Sequence, residues 1–208
     1  MMLRDASGSL SMAAWRHRGD AALLPNNATL LLIDLQRAVD DPSWGPRNNP
    51  GAEHNVARLL DHWRSNHLPL MHVRHDSTEP ASTYRPGQPG HEFKPEAAPR
   101  PGEVVVPKRT NSAFVGTDLE QRLRAGGSGA VVVAGVSTSN CVEATVRMGA
   151  NLGFRIFVVA DACFAFARKD WSGHPRTAAE VHDMSLANLA GEYCTVVTTD
   201  WVLAALGA

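Results

Sequence analysis

The chain has 208 residues, 44% of them hydrophobic and 20% charged, with a formal net charge of −1. This length fits one domain that folds without disulfides or a structural metal, and the balanced charge excludes nucleic acid as the main partner. No stretch is long and apolar enough for a membrane span. The only cysteines, Cys141, Cys163 and Cys194, are too few and too widely spaced for a disulfide framework. They indicate a reducing compartment, and we expect a cytoplasmic protein.

Residues 1–24 carry no continuous apolar run and are predicted to be an N-terminal extension, followed by one domain over residues 25–208. In that domain, short apolar runs alternate with stretches of helical spacing. The predicted strands are residues 30–33, 68–73, 103–106, 130–136, 155–160 and 193–198. The predicted helices are residues 55–66, 117–125, 141–152, 175–190 and 200–206. Thr117 is expected to cap the second helix, with Glu120 three residues later.

Strands that alternate with helices and are apolar almost throughout are typical of a parallel sheet covered on both faces. The sequence therefore predicts a Rossmann-like α/β fold with a six-stranded parallel sheet. Seven of the chain's 13 prolines lie between positions 80 and 107, and residues 77–103 form a long loop without periodicity. Long loops of this kind are often lids or interface arms, and a surface excursion without chemistry is the alternative.

Polar residues follow several of the predicted strands, at the edge where parallel sheets bind ligands. They are Asp34, His75, Asp76, Lys108 and Asp161. Asp34 and Lys108 would compensate each other's charge, because an unpaired carboxylate after an apolar strand is costly. From spacing alone, a structural ion pair at the edge of the sheet is the favoured explanation.

Cys141 lies at a junction of strand, tight turn and helix over residues 131–145. The free N–H groups at the start of a helix lower a thiol's pKa and can also hold an oxyanion. Cys141 is therefore a candidate nucleophile, with a buried, unreactive thiol as the alternative. Cys163 and Cys194 are predicted to be buried.

The spacing of Cys141 and Arg147 also matches the C-x5-R pattern of cysteine phosphatases. Those enzymes surround phosphate with a loop of backbone N–H groups and an arginine fork. Here the five intervening residues contain no glycine, and Glu143 among them would repel phosphate. The pattern therefore disfavours a phosphatase.

Three motifs occur in a specific order along the chain. They are Asp-Leu-Gln at residues 34–36, Lys108 with Asn-Ser-Ala-Phe at residues 111–114, and Gly-Val-Ser-Thr-Ser-Asn-Cys-Val at residues 135–142. Each motif is weak alone, but together they resemble the isochorismatase-like cysteine hydrolases over about residues 25–200.

The resemblance implies a catalytic triad of Asp34, Lys108 and Cys141. It implies a cis peptide bond between Val136 and Ser137 and an oxyanion hole formed by the N–H groups of Ser137 and Cys141. In the implied reaction, Cys141 attacks the carbonyl of a small amide, ureide or lactam, and water hydrolyses the resulting thioester. Asp34 moves the protons, and Lys108 keeps Asp34 ionised.

The cysteine favours the amidohydrolase branch, which is related to nicotinamidase, N-carbamoylsarcosine amidase and streptothricin hydrolase. The alternatives are an isochorismatase-type vinyl ether hydrolase and a binding module without catalysis. We expect no metal or other cofactor, since the order of His72, His75 and Asp76 differs from the nicotinamidase pattern. The two histidines would also face opposite sides of a strand.

The resemblance further implies a homo-oligomer, either a dimer or a tetramer, in which loops border a neighbouring site. Six side chains near the strand ends or in the long loop are expected to contact substrate. They are Gln36, His75, Tyr84, Phe93, Asn111 and Phe114.

Overall fold

The computed structural model describes residues 23–207, so the predicted extension over residues 1–24 lies almost wholly outside the described residues. The strands are β1 (Thr29–Ile33), β2 (Leu70–His75), β3 (Val104–Lys108), β4 (Val131–Val136), β5 (Ile156–Phe164), β6 (Arg168–Lys169), β7 (Pro175–Arg176) and β8 (Thr195–Val197). Six of them form one sheet in the order β3-β2-β1-β4-β5-β8, in which every pairing is parallel. The predicted six-stranded parallel sheet is confirmed.

The helices are α1 (Ala52–Ser65), α2 (Leu119–Ala125), α3 (Glu143–Asn151), α4 (Ala178–Leu189) and α5 (Thr199–Ala205). Alternate strand residues enter two separate apolar layers, as the pleat of a strand requires. Leu30 and Leu32 of β1 pack in the layer shared with α1 and α5. Leu31 and Ile33 pack in the layer shared with α2, α3 and α4. The sheet is therefore covered on both faces, which explains its continuous apolar strands.

No helix within residues 23–207 has the length and hydropathy needed to cross a membrane.

Three local features differ from the sequence prediction. Asp118, and not Thr117, is the N-cap residue of α2, although the Thr117 hydroxyl still accepts a hydrogen bond from the first helical N–H, that of Leu119 (3.3 Å), and donates to Ala113 O (2.5 Å). The antiparallel hairpin of β6 and β7 was not predicted and takes up the start of the expected helix 175–190. That helix begins only after Thr177, which forms a capping box with Glu180.

The fifth strand continues past Asp161 instead of ending there, with a register shift against β4. The Asp161 carboxylate accepts hydrogen bonds from the backbone N–H and hydroxyl of Thr199 (2.8 and 2.9 Å) at the start of α5. Asp161 therefore stabilises a helix end and does not join the polar cluster expected at the strand ends.

Gly135 of β4 lies directly opposite Ile33 of β1, two residues before the turn that carries Cys141. Its φ is +134°, and a Cβ atom there would stand 2.2 Å from Ile33 O. Only glycine permits this approach. The turn after β4 is thereby held close to the carboxyl end of β1.

Candidate active site

Four side chains meet at the carboxyl edge of the sheet because their strands end there. Asp34 follows β1, His75 ends β2, Lys108 ends β3, and Cys141 lies in the π-helix Thr138–Val142 after β4. Asp34 has a φ of +53°, in the left-handed region that aspartate tolerates better than most residues. The structure thus brings together the three residues of the predicted triad.

The Lys108 ammonium is the centre of this cluster. Its Nζ lies 2.7 Å from Asp34 Oδ2, 2.8 Å from His75 Nδ1 and 3.0 Å from Thr110 O. Cys141 Sγ is 3.3 Å away. An ammonium has three hydrogens, so these four groups compete for it. The contact with sulfur strengthens when the thiol becomes a thiolate, since charged partners bond more strongly.

Burial dominates the titration of the acid and the thiol. Desolvation raises the pKa of Asp34, and the Lys108 charge opposes that rise. Burial and the Asp34 carboxylate raise the pKa of the Cys141 thiol to about 12, against the opposing effect of Lys108. The lowered thiol pKa predicted from the helix start is therefore wrong, because desolvation and a neighbouring carboxylate outweigh the turn's N–H groups.

Asp34 keeps one carboxylate oxygen free for proton transfer. Its Oδ1 is buried and has no hydrogen-bond partner among residues 23–207. Ligand atoms of Asp34, His75 and Cys141 all lie within 4.8 Å of one another. A neutral thiol this close to a carboxyl group can ionise during attack by passing its proton to the carboxylate.

His75 supports Lys108. Burial and the Lys108 charge lower the pKa of His75 to about 4, so the ring is neutral near pH 7. The ammonium can only donate, so His75 Nδ1 accepts and Nε2 carries the ring proton. The ring also packs edge-on against Tyr84, with 5.3 Å between the centroids.

A metal ion at these donors would compete with Lys108, which already contacts all three of them. The position that a metal ion would take between these donors is therefore already filled by the Lys108 ammonium. The other candidate ligand, His72, lies on the opposite side of β2, buried against Glu103 (Nε2–Oε2 2.9 Å).

A cavity of about 140 Å³ opens beside this cluster. Its walls are Asp34, Trp44, His75, Ser82, Tyr84, Asn111, Val136, Ser137, Asn140 and Cys141. A second cavity of about 180 Å³ adjoins it and shares Trp44, Ser137 and Asn140. The second cavity is completed by Ser43, Ser139, Phe166, Ala167 and Arg168. The structure thus places His75, Tyr84 and Asn111 of the expected contact residues around the thiol.

Three other residues expected to contact substrate lie elsewhere. Gln36 is fully buried, and its amide bonds the backbone N–H and C=O of His75 and the C=O of His91. Phe93 packs against His72, and Phe114 stacks on Phe154. The prediction for Gln36, Phe93 and Phe114 is corrected, because their polar or aromatic surface is used inside the fold.

The long loop is a wall of the site. Tyr84 and Ser82 reach the cavity, while Lys94 binds Glu53 of α1 (2.9 Å) and Asp40. Two 3₁₀ helices, Pro89–His91 and Pro95–Ala97, give the loop local structure.

The turn after β4 carries the two N–H groups of the predicted oxyanion hole. The Val136–Ser137 peptide bond is cis, at the position that the resemblance implies. Ser137 O accepts hydrogen bonds from the N–H groups of Asn140 (3.0 Å) and Val142 (3.2 Å). Ser137 and Cys141 also line the cavity, so their backbone lies beside the space open to a substrate.

Arg147 does not form a phosphate site with Cys141. Its guanidinium pairs with Glu143 (2.8 Å) one turn away on α3 and lies 4.6 Å from the centre of the Tyr193 ring. The Arg147 guanidinium, which a phosphatase would need to bind phosphate, is therefore engaged by Glu143 on the surface of α3.

Sequence reasoning missed Trp44, Asn140 and Arg168. Trp44 ends the short 3₁₀ helix Pro42–Trp44, and Arg168 lies in the hairpin of β6 and β7. Neither segment has a hydrophobic period. Of these three residues, only Asn140 could have been found from the sequence, because it directly precedes the candidate nucleophile Cys141.

The chain is similar to known proteins over most of its length. The model of the isochorismatase domain matches residues 28–200. An isochorismatase-family protein of Bacillus subtilis, YrdC, is 38% identical over 174 residues, which are 84% of this chain and 93% of that protein. A maleamate amidohydrolase of Pseudomonas putida is 36% identical over 112 residues, 54% of this chain and 47% of that enzyme. The crystal structure of an isochorismatase-family protein from Chromobacterium violaceum superposes with a TM-score of 0.86 at 64% identity, covering 88% of this chain and 95% of that one.

Replacement of the two charged neighbours should move the pKa of the Cys141 thiol in opposite directions. D34N removes a charge that raises this pKa, which should fall; K108M removes a charge that lowers it, and the pKa should rise. We expect each replacement to change the thiolate fraction at a given pH by about tenfold. The pKa is read from the pH dependence of alkylation by iodoacetamide, followed by mass spectrometry of the Cys141 peptide.

Cys163 and Cys194 are buried and serve as internal controls that stay unmodified in the native protein. D76N is the matched variant, since Asp76 pairs with Arg74 and His91 instead of the cluster. A thiol pKa in D34N that is equal to or above the wild-type value would contradict this account.

Proposed function

Because the chain belongs to the isochorismatase family of hydrolases, we propose that it is a cysteine amidohydrolase that cleaves the C–N bond of a small amide or ureide. The single observation that carries the proposal is the contact of one buried ammonium, Lys108 Nζ, with both Asp34 Oδ2 and Cys141 Sγ beside a cavity. The likeness to a maleamate amidohydrolase supports this branch of the family.

In the first half of the proposed reaction, Cys141 Sγ bonds to the substrate carbonyl carbon while Asp34 takes the thiol proton. The N–H groups of Ser137 and Cys141 hold the oxygen as it becomes negative. Asp34 then gives the proton to the leaving nitrogen, and the C–N bond breaks. A thioester on Cys141 and a free amine or ammonia result.

In the second half, Asp34 takes a proton from a water molecule that attacks the thioester carbon. The C–S bond breaks, the acid product leaves, and Cys141 regains its proton. Lys108 keeps Asp34 ionised between these transfers and stabilises the sulfur when it carries charge. Its position within 3.3 Å of both groups supports this double role.

Vinyl ether hydrolysis and simple binding are weaker alternatives. Neither explains why a thiol lies against a buried Asp–Lys pair whose second carboxylate oxygen has no partner in residues 23–207. A nucleophile with an adjacent base is the arrangement that covalent hydrolysis requires.

The free cysteines support a reducing compartment. Cys141, Cys163 and Cys194 are all unpaired, and the last two are buried. Disulfides are rare in the cytoplasm, and we propose that the protein works there.

Ammonia release from a panel of small amides and ureides tests the proposed function. Wild type should release ammonia from at least one member, and C141A should lower turnover by at least about 10⁴-fold, as loss of a nucleophile does. C163A removes a buried thiol outside the cluster and should retain turnover. Undiminished activity of C141A on an identified substrate would refute the mechanism.

We further propose that the substrate carries a carboxylate on the side away from the cleaved bond. Among residues 23–207, Arg168 is the only charged residue lining the second cavity, and Lys108 compensates the charge of Asp34 in the first cavity. Its guanidinium hydrogen-bonds Asn140 Oδ1 (3.4 Å) and pairs with no carboxylate of the described chain. An arginine fork in this setting favours a carboxylate.

R168Q should therefore raise the KM for a carboxylate-bearing amide by about tenfold or more, since charge-assisted hydrogen bonds contribute about 1.5–3 kcal/mol. The KM for a neutral amide of similar size should stay unchanged. R122Q makes the same change on α2, where Arg122 pairs with Asp118 (2.7 Å) and lines neither cavity, and serves as the control. Equal effects of R168Q on charged and neutral amides would exclude the carboxylate site.

We also propose that the chain forms a homodimer through a groove of about 1100 Å³ between the β6–β7 hairpin and α4. Trp171 at the hairpin tip is 97% exposed and Met184 on α4 is 62% exposed, which is unusual for side chains of this size. Lys169 on the hairpin and Asp183 on α4 have no ion-pair partner in the described chain. A second copy related by a two-fold axis would pair each apolar tip with a groove and each cation with an anion.

W171E should accordingly shift the protein from dimer to monomer in sedimentation velocity at micromolar concentration, because a buried unpaired charge opposes association. V115E introduces the same charge at another exposed apolar residue, 42% exposed, and should leave the dimer intact. Monomeric wild type, or dissociation by V115E alone, would overturn this interface.

A further inference from the structure

A buried histidine that the proposed mechanism does not use lies behind the nucleophile turn. His182 of α4 is 4% exposed, and its Nδ1 is 2.8 Å from the hydroxyl of Thr138, which is fully buried. Within residues 23–207 this is the only side-chain hydrogen bond of either residue. A buried polar pair of this kind fixes two elements relative to each other.

Thr138 occupies a decisive place in the turn. It is the first residue of the π-helix Thr138–Val142, directly after Ser137 and three residues before Cys141. The backbone of Ser137 is already tied by hydrogen bonds from Asn140 and Val142 within the turn. The Thr138 side chain adds a tie from this turn to a different element, α4.

The partner on α4 is itself firmly placed. The helix begins with the Thr177–Glu180 capping box and buries Leu186 and Leu189 in the core. Burial lowers the pKa of His182, opposed by the nearby Asp183, so the imidazole favours its neutral form. One neutral ring nitrogen thus contacts one hydroxyl in the protein interior.

We propose that His182 is a positioning residue: through Thr138 it holds the turn so that the N–H groups of Ser137 and Cys141 face one oxyanion. This inference rests on the oxyanion hole of the proposed function. His182 touches neither substrate nor sulfur. It supplies the preorganisation on which hydrogen-bond donors in an oxyanion hole depend.

Two reagents, propionaldehyde and iodoacetamide, distinguish the function of the oxyanion hole from the reactivity of the Cys141 thiol. Propionaldehyde reacts reversibly: an S–C bond forms at Cys141, the C=O π bond opens, and the thiol proton passes to the Asp34 carboxylate, so that the oxygen lies in the hole as an oxyanion. Iodoacetamide forms an S–C bond with loss of iodide and a proton, without an oxyanion. Propionaldehyde affinity is measured by its protection of Cys141 from slow alkylation.

H182L and T138V remove the contact and should weaken propionaldehyde binding by about 10–100-fold, within the range for loss of oxyanion stabilisation. The direct alkylation rate should stay within about twofold of wild type. H182N keeps a polar atom at the Nδ1 position and should restore binding, whereas H182Q, with its polar atoms one bond further out, should not. S185A, at another buried polar residue of α4, is the matched control and should behave as wild type.

On an amide substrate, the same variants should lower kcat and leave KM unchanged. Unchanged aldehyde binding in T138V and H182L, a parallel loss of both reactivities, or no rescue by H182N would overturn the positioning role. If H182L does not fold, the comparison of T138V with H182N decides. Wild type that binds propionaldehyde but hydrolyses no amide would refute the proposed function alone.

Discussion

The structure depends on one buried ion pair, Lys108 with Asp34. Their charged atoms lie 2.7 Å apart with side chains 0% and 1% exposed, so neither charge is solvated by water. A buried charge without its partner costs several kcal/mol, which makes the pair a constraint on the sheet. Because β2 lies between β3 and β1, Lys108 must reach across it, and His75 at the end of β2 supports the ammonium on the way.

The same pair governs the thiol through two opposing effects. The carboxylate raises the pKa of Cys141 and the ammonium lowers it, while desolvation exceeds both. The outcome is a neutral thiol next to a base, instead of the standing thiolate that a helix start suggests. A neutral nucleophile activated only during attack suits a buried site, since no unpaired charge has to be kept there between reactions.

The sheet and its polar edge were predictable, because continuous apolar strands show in the sequence and parallel strands end on one side. Asp34, Lys108 and Cys141 all follow such strands, and the family resemblance implied their joint role. Trp44 and Arg168 lie in segments whose position is set by tertiary packing. Such segments have no hydrophobic periodicity in the sequence, so these two residues could not be predicted. Gln36 shows the converse error: it is a polar side chain at a strand end, but its amide is used by the backbone of His75 and His91.

The nucleophile turn is held from two directions, and this explains how the proposed base and nucleophile stay in register. On the sheet side, Gly135 lets β4 lie so close to β1 that a Cβ atom would stand 2.2 Å from Ile33 O, the residue before Asp34. On the helix side, His182 holds Thr138. The first contact sets the distance between Asp34 and the turn, and the second sets its orientation. Distance governs the proton transfer between thiol and carboxylate, whereas orientation governs the N–H groups that would receive the oxyanion.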